Sequence, residues 1–202
     1  MTKLTLDGED WRPVGGLFDA FHLLSTNGLM SALLWRRFHC ICCRGIWQYI
    51  ADNRSKAAVE TAEGFVNGVS TLEDLQRAFE AAKHAADEAW DKVQSLRLPG
   101  DSSSAEWPVS EAVDQAWIEY SAASAAKSCA DTAEEAVLFT TIPDSACDLP
   151  AWRDARSDVV ARNDELVADE LRDATLKRWD EIRCGEEKRL IGILRHLVDG
   201  EL

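Results

Sequence analysis

Apolar side chains recur three and four positions apart along almost the whole chain, and no stretch alternates polar and apolar as a half-buried strand would. The pattern predicts an all-α protein, an irregular multi-helix bundle forming one domain over residues 1–202. A short helix is expected over Leu17 to Leu24, stopped by the turn Ser25-Thr26-Asn27-Gly28. A second is expected over Leu29 to Ile50. On its wheel Trp35, Phe38, Cys40, Cys42, Cys43, Ile46, Trp47 and Ile50 spread over most of the circumference, leaving Arg37, Arg44 and Gln48 as a polar wedge. A helix apolar nearly all round is surrounded by others, so this one is expected at the centre, with Phe38 and Trp47 largely buried.

Asp52 or Asn53 can cap a third helix whose apolar face is Ala58, Ala62, Phe65, Val66 and Val69, with Gly68 near its end. Ser70 to Glu73 then reads as a capping box opening a fourth. Leu75, Phe79, Ala82, Ala86, Ala89, Val93 and Leu96 give that helix a continuous seam, and its alanines allow close approach of a partner. A loop is expected over 97–110, with Pro99-Gly100 and Trp107-Pro108. Ser110 can cap an alanine-rich helix with Val113, Ala116, Tyr120, Ala123, Ala130 and Val137 inward. A second loop is expected over 142–150, after which Asp148 as cap and Pro150 in the first turn begin a final long helix. Gly185 is expected to break it before Leu190, Ile191, Leu194, Leu197 and Val198.

Charge narrows the partners. The chain carries 36 acidic against 22 basic side chains, a formal net charge of −14, which repels a nucleic-acid backbone or an anionic membrane. Leu17 to Ile50 is the most apolar stretch, but its turn and Arg36-Arg37 exclude a plain membrane span. Met1 to Asp10 lacks the basic and apolar segments of an export signal, so a cytoplasmic location with reduced thiols is expected for the six cysteines.

Arg36 to Trp47 reads Arg-Arg-Phe-His-Cys-Ile-Cys-Cys-Arg-Gly-Ile-Trp. This resembles the R-L-F-A-C-A-C-C-R-R-I-W motif of an uncharacterised family of planctomycete paralogues. The segment Asp52 to Glu63 is similar to the same family's D-x-R-S-R-R-A-V-E-x-A-E, and Glu187 to Gly200 resembles its leucine-rich tail more distantly. The resemblance covers about the first third of the chain well. It implies relatives, and no mechanism comes with it.

The cysteine-rich helix is the one constellation that could carry chemistry. His39, Cys40 and Cys43 fall within about a quarter turn at 100° per residue, and Cys129, Cys147, Cys184 or another histidine could complete a zinc site. No second pair at metal-ligand spacing accompanies them, and small thiols also fill close helix contacts, which is the preferred reading; no cofactor is expected. Arg44 lies eight residues before Asp52, while Glu60 and Glu63 lie eight and eleven after it. An antiparallel hairpin brings these together, so a structural ion pair of Arg44 with Glu60 or Glu63 is expected. Acidic pairs at Asp164-Glu165, Asp169-Glu170 and Asp180-Glu181 lack the Glu-x-x-His partner of helical metal sites. Trp11 and Trp107, if exposed, are candidate partner contacts. No catalytic triad, phosphate loop or His-Glu-x-x-His pattern occurs. The sequence therefore reads as a non-catalytic interaction or adaptor module whose acidic C-terminal half meets a protein with a basic face. The alternatives are a zinc-stabilised domain using His39, Cys40 and Cys43, and an acidic mimic of nucleic acid that inhibits a nucleic-acid-binding protein.

Overall fold

Seven α-helices and one 3-10 turn make up a computed structural model that describes residues 15–96, 111–132, 141–162 and 168–200, with no strand among them. The helices are α1 (Leu17–Thr26), α2 (Ala32–Gly45), α3 (Asn53–Val66), α4 (Leu72–Leu96), α5 (Glu111–Ala130), α6 (Thr141–Arg162) and α7 (Ala168–Asp199). The protein is an all-α multi-helix bundle. The loop expected over 97–110, the Ser110 cap, Val137, Trp11, Trp107, the side chain of Cys147 and the pair Asp164-Glu165 lie outside the described residues.

α2 sits where the pattern put it, packed against α3, α5, α6 and α7. Trp35, Phe38, His39, Cys40, Cys42 and Cys43 are all buried, and Arg37 and Arg44 point outward. Phe21 of α1 meets Trp35 and Phe38 edge-on, with ring centroids 5.2 and 6.0 Å away, which ties α1 into the core. The helix is shorter than the run Leu29 to Ile50. Ser31 begins it, its hydroxyl accepting from the Leu34 N–H at 3.2 Å, and Gly45 ends it ahead of the 3-10 turn Trp47–Tyr49. That turn carries Trp47 outward, so Trp47 is only half-buried, while Ile46 and Ile50 remain in the core.

α3 and α4 follow a tight reversal. Asp52 caps α3 by accepting from the Arg54 N–H at 2.7 Å. Gly68, at φ +71°, takes the left-handed conformation that closes it. The capping box of α4 stands one residue later than expected. Thr71 accepts from the Asp74 N–H at 3.1 Å, and the Asp74 carboxylate accepts from the Thr71 N–H at 2.9 Å. Ser70 is instead folded against Gly64, whose carbonyl accepts from the Ser70 N–H. α4 then packs on α3 and α5, burying Leu75, Ala82, Ala86 and Val93. α5 is buried on most sides by small residues, including Ala116, Ala122, Ala123, Ala125 and Ala126, so its polar face is narrow.

The C-terminal third departs furthest from the expected boundaries. Residues 142–150 are helical, because α6 runs from Thr141 straight through Pro150. A proline inside a helix costs roughly 3 kcal/mol. Here Ile142, Ala146, Leu149, Ala151 and Ala155 bury an apolar face that outweighs it. Asp148 is consequently no cap; its carboxylate accepts from Arg183 of α7 at 2.8 Å. Gly185 does not break α7 either. It costs about 1 kcal/mol relative to alanine, and Thr175, Leu190, Leu194, Leu197 and Val198 hold the helix on both sides of it.

Candidate functional site

The thiols of α2 meet the C-terminal end of α5. Arg36, Cys40 and Cys43 share one face of α2 at positions i, i+4 and i+7. Arg36, a residue only 7% exposed, donates from its guanidinium to the carbonyls of Cys129 at 2.9 Å and Asp131 at 2.8 Å, closing off α5 where its last carbonyls lack helical partners. Beneath it the Cys40 and Cys129 sulfurs are 3.5 Å apart and share a thiol hydrogen bond, and Cys129 also bonds Cys43. The bond to Cys129, with burial, drives Cys40 far above the ordinary thiol range. Cys129 is lowered by its bond with Cys40, but the bond with Cys43 and burial leave it well above that range. Cys43 is pulled down by Cys129, yet burial and the neighbouring thiols leave it raised overall. Thiols held protonated in this way are poor nucleophiles at neutral pH.

Of the zinc candidates, the structure brings Cys40 and Cys43 to Cys129 and turns His39 another way. His39 turns its ring toward Trp35 and Phe38, at centroid distances of 6.4 and 6.1 Å, while Cys40 and Cys43 face α5. Among the described residues no three His, Cys, Asp or Glu side chains stand in position to hold one metal ion. Burial, reinforced by Arg36, lowers the His39 pKa to about 3, so this imidazole is neutral at pH 7. Cys184 is exposed, in contrast to Cys40, Cys42, Cys43 and Cys129. Under native conditions a thiol reagent followed by peptide mass mapping should therefore label Cys184 well before those four. Labelling of Cys40 at the rate of Cys184 would show that the α2–α5 contact opens readily.

Arg44 and Glu63 do meet. Arg44 donates from Nε and Nη2 to the two carboxylate oxygens at 2.7 and 2.6 Å, and its guanidinium lies 3.9 Å from the centre of the Trp47 ring. Glu60 is exposed and adds only its through-space attraction. The Glu63 bond raises the Arg44 pKa. The pair stands at the surface, with the Arg44 and Glu63 side chains 41% and 30% exposed, so the loss proper to a buried pair does not apply. A double-mutant cycle of Arg44→Ala with Glu63→Ala should give a coupling of about 0.5–1 kcal/mol that shrinks as salt is added. A coupling above about 3 kcal/mol would require a water-free contact.

A cavity of about 340 Å³ between α5, α6 and α7 escaped the sequence reading. Its walls include Asp114, Trp117, Asp148, Trp152, Leu176 and Trp179. Asp114 precedes Trp117 by three residues and Asp148 precedes Trp152 by four, so each pair shares a helix face. That acid–tryptophan spacing was the available signal; assigning 142–150 to a loop concealed half of it. Trp117 is fixed by edge-on contacts with Trp90 at 5.7 Å and Tyr120 at 5.8 Å. Arg183, bonded to Asp148 and paired with Glu187 at 3.2 Å, lies 5.5 Å from the centre of the Trp179 ring. A second, wider cavity shares Asp114, Ile118 and Trp152 with the first and continues toward Tyr49 and Arg153.

No described helix is long and apolar enough to cross a membrane. Comparison with family models, with curated proteins and with solved structures finds no match to this chain.

Proposed function

We propose that this chain is a non-catalytic helical interaction protein that meets a basic partner with the acidic face built by α5, α6 and α7. The observation that carries this reading is where the acid excess falls. Residues 101–202 hold 23 acidic against 11 basic side chains, whereas the first hundred residues hold 13 against 11. Ion pairs occur in both parts, as in Arg44 with Glu63 and Arg54 with Asp52 and Glu88, and in Arg178 with Asp158 and Glu181, so the difference lies in the surplus of acids. On α6 and α7, Asp154, Glu170, Asp173 and Asp180 are exposed, and the tryptophan-lined cavity opens among the same three helices. A negative field with an aromatic recess suits recognition of a positive surface. The protonated thiols and neutral His39 of α2 favour a structural part for the cysteine-rich helix.

The test is affinity capture from the native cell with the wild-type chain and with Asp154→Asn, Glu170→Gln, Asp173→Asn and Asp180→Asn combined. The reading expects basic proteins that the wild type retains, the variant loses, and moderate salt elutes. Capture that ignores both the substitutions and the salt would reject the acidic face as the binding surface.

A further inference from the structure

We infer that the cavity between α5, α6 and α7 is a binding site for an alkylated ammonium group, such as a quaternary or methylated amine. The inference rests on the reading of this face as the binding face and adds the chemistry of what enters it. Three indoles, Trp117, Trp152 and Trp179, line one recess of about 340 Å³. That volume falls at the small end of the range of roughly 300–1,000 Å³ usual for ligand sites. The face of an indole carries negative electrostatic potential, and tryptophan is the strongest of the aromatic side chains in attracting a cation. Trp179 already presents its ring to a cation, the Arg183 guanidinium 5.5 Å away.

The local charge has the matching sign. Asp114 and Asp148 lie in the wall, and Arg183 at its edge is offset by both Asp148 and Glu187. The remaining lining, Ile118, Leu149 and Leu176, is apolar apart from the Ser121 hydroxyl. A primary ammonium could place a donor on Asp114 or Ser121, Asp148 being already bonded to Arg183, but against the indoles its other N–H donors would lose their hydration without replacement. An alkylated ammonium has few or no donors to satisfy and gives its methyl groups to the indoles. A neutral hydrocarbon of the same shape would gain the apolar contact but nothing from the carboxylates. The edge-on support of Trp117 by Trp90 and Tyr120 fixes one wall before any ligand arrives, which reduces the ordering cost of binding.

The experiment titrates choline into the full-length chain, using 3,3-dimethyl-1-butanol as its uncharged isostere. Indole N–H resonances, assigned through single Trp→Phe variants, report the site. Saturable shifts of Trp117, Trp152 and Trp179 are expected, with choline binding at least about tenfold tighter than the isostere. Asp114→Asn should weaken choline and leave the isostere unchanged. Free trimethyllysine carries the same group, and whichever of it and choline binds tighter identifies a modified side chain or a small molecule as the source. Equal affinity for choline and isostere would reduce the site to an apolar recess and overturn the inference. So would indole signals that stay fixed up to about 50 mM choline. The isostere comparison uses the wild-type chain, so a variant that fails to fold does not spoil it. A chain that ignores choline but still captures basic proteins sinks the cage and leaves the partner reading standing. Choline binding without partner capture supports the cage and sinks the partner reading.

Discussion

Lowering the pH from 7 to 3 should remove about 4–5 kcal/mol of stability through His39 alone. In the folded chain this imidazole is 2% exposed and its pKa is lowered from 6.5 to about 3 by burial and by Arg36. The unfolded chain takes up a proton near 6.5 while the folded chain takes one only near 3, so over that window the unfolded state binds more protons. Stability is then fully present above about pH 6.5 and is lost as the pH falls toward 3, by about 1.4 kcal/mol per pH unit. Carboxylates add an acid loss of their own. Asp52 is held below its usual range by its bonds with Arg54, and Asp74, bonded to Thr71 and Arg77, is lowered to about 2. Denaturant unfolding of wild type and His39→Leu at matched pH separates these, since the carboxylates are common to both. The two should be close in stability at pH 7 and diverge steadily below pH 6, with the leucine variant the more stable. Parallel pH profiles would mean that water or a partner group reaches His39 in the fold.

Replacing Arg36 with alanine should cost about 3–5 kcal/mol, because the guanidinium supplies what the end of α5 lacks. It satisfies the buried carbonyl of Cys129 and the carbonyl of Asp131, and it lies 5.5 Å from the centre of the Phe65 ring. Bonds from a charged donor contribute about 1.5–3 kcal/mol each, and a buried carbonyl left without its donor adds a desolvation penalty. Arg36→Lys should recover only part of the loss, since one ammonium cannot reach both carbonyls in the planar geometry of the fork. Chemical denaturation measures both. An alanine variant within about 1 kcal/mol of wild type would show that the Cys40–Cys129 contact holds α2 on α5 without the arginine.

Arg36 also shows where sequence reading stops. Helical spacing alone locates α2, marks Phe38 and its cysteines as inward, and counting outward from Asp52 places Arg44 near Glu60 or Glu63, of which the structure pairs it with Glu63. Those inferences use local periodicity and one short turn. Arg36 lies on the same apolar face as Cys40, yet its partners are backbone carbonyls 93 and 95 residues away, and backbone carbonyls leave no mark in a sequence. On the helical wheel His39 shares an arc with Cys40 and Cys43. Its ring follows the aromatic cluster of Phe21, Trp35 and Phe38, a packing decision made between helices. Pro150 and Gly185 misled in the same direction. Each is a local breaker with a cost of a few kcal/mol or less, and each is overridden by apolar burial along a long helix. The cavity depended on that override: only a continuous α6 sets Asp148, Leu149 and Trp152 opposite α5 and α7.

If α2 serves the core and α5, α6 and α7 carry the proposed partner surface, a crosslinker on those helices and one elsewhere must behave differently. Site-resolved photo-crosslinking in the native cell, with benzoylphenylalanine in place of Leu176 in one chain and of Val69 in another, separates the two surfaces. Leu176 is 43% exposed on the cavity wall, and Val69 is 82% exposed on the α3–α4 turn. A discrete adduct with a basic protein is expected from position 176, none from position 69, and the adduct should be lost when Asp154, Glu170, Asp173 and Asp180 are neutralised. An adduct from position 69 alone, or one of equal strength from both positions, would contradict it.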